Sequence, residues 1–158
     1  MNRRNALKTL TAASLFLGVA FAAGNIAAQP SAMDAVKAAN QAFYTALSAR
    51  DIGAMRKVWA SEGDVFNIGP RAKAASVGAD AVGSFAATFD LYSKFLVTFE
   101  QTQLRINGPV AWVTGIERSQ RTFKDGKTST GSNLGTNIFV NQGGNWLMVG
   151  HHASVMPQ

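Results

Sequence analysis

The sequence predicts an α+β fold in which N-terminal helices pack on one face of a strongly curved, mainly antiparallel sheet. Three observations carry that prediction. Apolar residues recur at helical spacing through the first half of the folded region. Beyond Tyr92 the period becomes strand-like and stays so. Turn clusters rich in Gly, Asn, Asp and Pro divide this second half into consecutive strands, as in a meander.

The elements follow in order. Ser31 and Asp34 form a capping-box pattern ahead of Val36, Ala39, Phe43, Ala46 and Leu47, which share one helical stripe. Arg50 and Asp51 interrupt that stripe, and Asp51 is placed to cap a short second helix with Ile52, Met55, Val58 and Trp59. A first strand is expected over 65–68, closed by Gly69 and Pro70, followed by a loop over 71–78. Asp80 is the expected cap of a third helix, whose Val82, Phe85, Phe89 and Tyr92 make an aromatic stripe. Core packing explains such a stripe, and its side chains are also candidates for the wall of a pocket. Strands are then expected over 95–106, 110–123 and 128–141, followed by a last strand that opens at Trp146. Asp125-Gly126 suits a two-residue hairpin loop with positive φ at both central positions.

The first residues read as an address. Arg3, Arg4 and Lys8 precede an uncharged run from Leu10 to Ala23, with small-residue cleavage options after Ala22 or Ala28. A signal peptide over 1–28 is the expectation, exported by the twin-arginine or the Sec route, with a folded domain over 31–156. Arg3, Arg4, Leu7 and Lys8 fit the twin-arginine pattern, while Ala6 stands where that pattern has phenylalanine. The apolar run is short for a span of roughly 30 Å, so no stable membrane anchor is expected after cleavage. The product is expected in the periplasm or secreted. With no cysteine anywhere, neither a lipoprotein anchor nor a disulfide is available.

The formal charge of +6 counts three cations of that leader; without them, 12 basic side chains stand against 9 acidic ones. These are scattered with no basic stripe, which argues against a nucleic-acid partner. The glycine clusters at Gly108, Gly126 and Gly143 are turns without a phosphate-loop pattern. No cofactor is implied.

The last strand is the most informative. A turn of Gln142, Gly143, Gly144 and Asn145 releases Trp146, and the strand ends at His151 and His152. Adjacent strand residues face opposite sides, so one ion cannot readily take both imidazoles, and no metal site is expected. This ending, NWLMVGHHAS, resembles the last strand of SnoaL-like, nuclear transport factor 2-like proteins. QAFYTALSARDIGAMRKVWA, VGADAVGSF and VAWVTGIE resemble other parts of that superfamily, over most of the chain from Met33 to Val155. Within it the chain is similar to the association (hub) domain of calcium/calmodulin-dependent protein kinase II and its stand-alone bacterial relatives.

The resemblance implies a cone-shaped barrel with a pocket between helices and sheet, and a homodimer or larger homo-oligomer. Hub domains hold carboxylates with pocket arginines. The matching positions here are Thr114, Asn137 and Ala153, none of them basic, so that ligand class does not carry over. The comparison points Val110, Trp112, Thr114, Ile116 and Arg118 into the cone, with Asn137, Phe139, Leu147, Val149 and His151. It turns Glu117, Trp146, Met148 and His152 to the opposite side. The candidate ligand pocket is therefore Phe43, Trp59, Phe85, Phe89, Tyr92, Trp112, Thr114, Arg118, Asn137, Phe139 and His151.

His151 is the candidate catalytic residue, with Arg118 as a polar companion and Tyr92 and Asn137 as donors to an oxyanion. Asp64 and Asp90 are the other carboxylates expected near the pocket edges, and turn and cap roles explain them equally well. Three functions fit. The first is an exported dimeric module that binds a small, mostly apolar molecule without transforming it. The second is an isomerase, hydratase or lyase acting on a cyclic or carbonyl compound through His151. The third is a scaffold that works through the outer face of its sheet.

Overall fold

The computed structural model describes residues 30–61 and 63–157. The expected signal peptide over 1–28 lies outside them. Among the described residues, no helix is long and apolar enough to cross a membrane.

Helix α1 (Ala32–Ala49) begins where the Ser31 hydroxyl accepts from the Asp34 backbone N–H. It ends at Arg50, in left-handed geometry with φ 54°. The Asp51 side chain accepts from the Ala54 N–H and starts α2 (Ile52–Val58). Strand β1 (Phe66–Ile68) follows, and the expected loop contains a two-residue strand, β2 (Ser76–Val77), paired with β1. Helix α3 (Ala79–Leu91) is capped at Gly78 without a side-chain bond. Asp80 is in its first turn instead, where a carboxylate still opposes the positive helix end. Tyr92 is not part of the α3 stripe: its backbone is extended and it opens β3 (Tyr92–Asn107).

Strands β4 (Val110–Phe123), β5 (Thr128–Gln142) and β6 (Asn145–Val155) complete an antiparallel meander. The sheet order is β2-β1-β6-β5-β4-β3, with β1 parallel to β6. The sheet is mixed, and it is curled around the helices without closing, so β2 and β3 remain edges. Gly143 and Gly144, both at positive φ, form the tight β5–β6 turn. Residues 124–127 separate β4 and β5 as the expected strand ends require, but the two-residue turn with positive φ at both Asp125 and Gly126 does not form: only Gly126 has positive φ.

The core lies between the helices and the concave face, around Val36, Phe43, Met55, Trp59, Val113 and Met148. Two features set which side chains reach it. On β4, Ala111, Val113, Gly115, Glu117 and Ser119 are buried toward the helices, and Val110, Trp112, Thr114, Ile116 and Arg118 face outward. This reverses the parity expected from sequence. The inner face takes glycine where neighbouring side chains of the sheet fold over it. A Cβ on Gly115 would overlap the Phe99 ring, and one on Gly135, its β5 neighbour, would come within 3.1 Å of Glu117.

The second feature is a bulge. Phe139 opposes Met148 while Ile138 opposes Gly150, leaving Val149 as an extra residue in β6. An extra residue switches the alternation. Trp146 and Met148 face inward before it, and His151 and Ala153 after it. Leu147 and Val149, expected inside, lie half-buried on the outer side.

Candidate functional site

The concave face carries a buried polar cluster in an otherwise apolar core. Glu117 comes from β4, Asn133 and Asn137 from β5, His151 from β6, and Asn40 and Tyr44 from α1. Sheet register brings Glu117 opposite Asn133 and Asn137 opposite His151. Asn40 and Tyr44 are four residues apart, so they project from one helical face onto this region.

The hydrogen bonds form one connected network. Asn137 Nδ2 donates to Asn40 Oδ1 at 2.7 Å and to the Tyr44 hydroxyl at 3.0 Å. The Tyr44 hydroxyl in turn donates to Glu117 Oε1 at 2.9 Å, and Asn133 Nδ2 donates to Glu117 Oε2 at 3.3 Å. Asn137 Oδ1 is left as an acceptor, 2.7 Å from His151 Nδ1. That assigns the His151 ring proton to Nδ1 and the lone pair to Nε2. Nε2 faces Glu117 Oε1 at 3.8 Å.

Burial pushes both members of this pair toward their neutral forms. Desolvation raises the Glu117 carboxyl above its ordinary value, against the bonds from Tyr44 and Asn133, which favour the anion. Desolvation, with a smaller push from His152, lowers the His151 imidazole to about 3. The Tyr44 phenol is held far above its ordinary value, first by burial and then by Glu117 beside it. Burial thus favours the protonated form of Glu117 and the neutral form of His151.

Glu117 and His151 line a cavity of about 270 Å³. Its walls include Leu47, Phe85, Tyr92, Phe95 and Val97. Asn67, opposite His151 in the β1–β6 pairing, also lines it. Its Nδ2 donates to Ser84 Oγ at 2.8 Å, while its Oδ1 is buried with no hydrogen-bond partner among the described residues. The cavity wall thus holds a carboxyl group and an imidazole side by side, with an amide oxygen lacking a partner beside them.

Of the side chains singled out in the sequence, Phe85, Tyr92 and His151 line this cavity. Asn137 is behind His151 as its hydrogen-bond partner. Phe43, Trp59, Phe89 and Phe139 are buried in the core, with the Phe43 ring 4.9 Å from the His151 ring. Trp112, Thr114 and Arg118 do not belong to the pocket. They are on the outer face, where Arg118 pairs with Glu100 at the surface and Thr114 meets Thr102. Asp64 and Asp90 are exposed. Tyr92 reaches the cavity but makes no bond to His151 or Glu117.

Glu117, Asn40, Tyr44, Asn67 and Asn133 were missed by sequence reasoning. A faint signal existed. Asn40 and Tyr44 flank the apolar stripe of α1 at i, i+4, and Glu117 interrupts a run of apolar and small residues in β4. Among the described residues, no group of three His, Cys, Asp or Glu side chains is placed to hold a metal.

Comparison with known proteins agrees with this architecture. The family model for a SnoaL-like domain matches residues 36–158. A Streptomyces avermitilis structure, provisionally assigned as a dehydratase of the NTF2-like family, superposes with TM-score 0.69 at 22% identity, covering 80% of this chain and 97% of that one. A Thiobacillus denitrificans structure is provisionally assigned as a calcium/calmodulin-dependent protein kinase type II association domain. It gives TM-score 0.63 at 28% identity, covering 77% and 94%. A ketosteroid isomerase-like protein from Erwinia carotovora gives TM-score 0.68 at 18% identity, covering 79% and 96%. No curated protein matches the chain.

Proposed function

The chain belongs to the SnoaL-like domain family, and from that premise we propose that its cavity binds a small, mostly apolar carbonyl compound and moves a proton on it. One observation carries this reading. His151 Nε2 and Glu117 Oε1 are 3.8 Å apart in the wall of the same cavity, with the His151 tautomer fixed by Asn137. A buried acid–base pair costs stability, and a core with no chemical task is better filled with apolar groups.

The chemistry uses Glu117 as the acid and His151 as the base, the forms that burial favours. His151 Nε2 takes a proton from the carbon beside the carbonyl. Glu117 gives its proton to a hydroxyl on the next carbon, the C–O bond breaks, and water leaves as the C=C bond forms. The imidazolium then returns its proton to the Glu117 carboxylate, restoring both groups. The Asn67 Oδ1 atom is the acceptor that positions the substrate hydroxyl, which favours dehydration over a simple isomerisation. Tyr44 and Asn133 are positioning residues that hold Glu117. Neighbours provisionally assigned as a dehydratase or described as ketosteroid isomerase-like share the fold, so the scaffold is compatible with such chemistry.

Proton exchange in heavy water tests this, with diacetone alcohol and a cyclic β-hydroxyketone as probes read by NMR. Wild type is expected to accelerate exchange at the carbon beside the carbonyl. His151→Asn and Glu117→Gln should each reduce it by about 10²- to 10⁴-fold. Exchange that is equal in wild type and both variants sinks the mechanism. Binding of the probes without exchange favours the second reading, a module that holds its ligand unchanged, for which the apolar walls are the support.

Two further properties are proposed with it. The outer sheet face carries Trp112, Ile138, Val140 and Leu147 half-buried and Leu134 53% exposed, which suits contact with a second copy. The Thiobacillus relative, an association domain by provisional assignment, points the same way. Light scattering should show an oligomer that Leu134→Lys weakens, and a wild-type monomer at about 100 μM, far above the Kd of a stable interface, excludes it. Export is proposed from the basic head and uncharged run over 1–28. N-terminal sequencing of protein from the cell envelope should begin after Ala22 or Ala28, and recovery of only uncleaved chain from the cytosol argues against it.

A further inference from the structure

A second concavity lies outside the acid–base cavity. It is a groove of about 510 Å³ between the end of α1, the start of β3, the end of β4 and the start of β5. Arg50, Lys94 and Arg121 line it, and no carboxylate does. Phe95 and Arg121 line both this groove and the inner cavity, so these two side chains stand between the two spaces.

Arg121 is built into that junction. Its Nε and Nη2 both donate to Ser119 Oγ, at 3.1 and 2.6 Å. The side chain folds back over Gly131, where a Cβ would come within 2.5 Å of Nη2. Ser119 is the next inward residue after Glu117 on β4, so the guanidinium bonded to it lies on the same face of the strand as Glu117. Among the described residues, no carboxylate lies within ion-pairing distance of it. Ser129 is its direct partner across β4–β5, and the Ser129 hydroxyl is buried with no hydrogen-bond partner among the described residues.

A guanidinium has five N–H groups in a planar fork. With Nε and one Nη2 hydrogen committed to Ser119, the Nη1–Nη2 end keeps a parallel pair of donors. That edge matches the two oxygens of a carboxylate. A half-buried cation without an anion is also poorly compensated, and a bound anion supplies what is missing.

We infer that Arg121 grips the carboxylate of the ligand, so that this site takes a small organic acid whose head lies at the groove and whose apolar body extends toward Glu117 and His151. This rests on the cavity being the ligand site, as proposed above, but not on a proton being moved there. The acid is recognised at the mouth by Arg121, with Arg50 and Lys94 drawing anions to the groove.

Calorimetric titration of matched pairs tests it: phenylacetate against phenylacetamide, and octanoate against octanamide. In wild type each acid should bind about 10- to 100-fold more tightly than its amide, as for a charge-assisted double hydrogen bond. Arg121→Gln should erase that preference. Arg121→Lys, which keeps the charge but loses the fork, should retain only part of it, and it guards against misreading a folding defect in the glutamine variant. Equal binding of acid and amide by wild type overturns the inference, as does an unchanged preference in Arg121→Gln. So does no binding of any acid up to about 10 mM, where even a millimolar site is mostly filled. Tighter binding of inorganic phosphate than of the acids overturns it too. Glu117→Gln separates the two proposals: it should abolish proton exchange yet leave the acid-over-amide preference intact. A protein that prefers acids but exchanges no protons removes the catalytic reading and keeps this one.

Discussion

Acidification from about pH 7.5 to about pH 5 should expose the neutral, buried state of His151 as a loss of stability. In the unfolded chain the imidazole titrates at its ordinary 6.5, and burial lowers it to about 3 in the folded protein. Between those values the unfolded state binds the extra proton, so stability must fall as pH falls. The contribution is complete above about 6.5 and is lost progressively toward 3. By pH 5 the unfolded ring has gained its proton over about 1.5 pH units, which at 1.36 kcal/mol per unit is about 2 kcal/mol. Glu117 works in the opposite direction. Its folded carboxyl is raised by burial, so its contribution is fully present below its unfolded value of 4.5 and is lost as pH rises through the folded value. Acidification therefore returns stability through Glu117 while removing it through His151. The Glu117→Gln variant isolates the histidine. Urea denaturation of that variant should show a midpoint lower by about 1 M at pH 5 than at pH 7.5, taking a slope near 2 kcal/mol per M. His151→Asn should instead hold or gain stability over the same interval. If Glu117→Gln has the same midpoint at both pH values, or if His151→Asn loses as much as wild type, His151 is not the buried neutral base described here.

Two other perturbations bear on the same architecture. Glu117→Gln should raise stability by about 1 kcal/mol or more at a pH high enough to ionise the wild-type carboxyl, because a neutral amide avoids burying a carboxylate while keeping an acceptor for Tyr44. Calorimetry should show a melting temperature higher by a few degrees, and a lower one contradicts the burial argument. Gly150→Ala should destabilise by about 1–3 kcal/mol, since the new methyl would come within 2.6 Å of the Phe66 ring across the parallel β1–β6 pair. A neutral result in thermal denaturation would mean that β1 yields easily, and with it the placement of Asn67 beside His151.

Local chemistry explains what was legible from sequence and what was not. Ser31 with Asp34 and Asp51 with Ala54 mark two helix starts because caps act over three residues. The glycine pair at 143–144 marks its turn because only that geometry reverses the chain so tightly. Gly78 gave no such signal as a cap, since it offers no side chain, and Asp80 nearby drew the expectation two residues too far. His151 could be singled out as a polar residue in an apolar strand, but the network it joins draws on three other elements, and the Asn137–Asn40 bond within it spans 97 residues of chain.

Periodicity, capping and turn residues by themselves determined the α+β class, the element order and the antiparallel meander. Only the tertiary structure decided which face of each strand is inside. Strand β4 is apolar on its outer side and small on much of its inner side, because the Phe99 ring covers Gly115 and the Glu117 side chain covers Gly135, so hydrophobicity misreports its parity. In β6 the extra residue at Val149 switches the alternation between Met148 and His151. A period of two carries no record of such a one-residue slip, and that slip is what sets His151 against Asn137 and facing Glu117 inside the cavity.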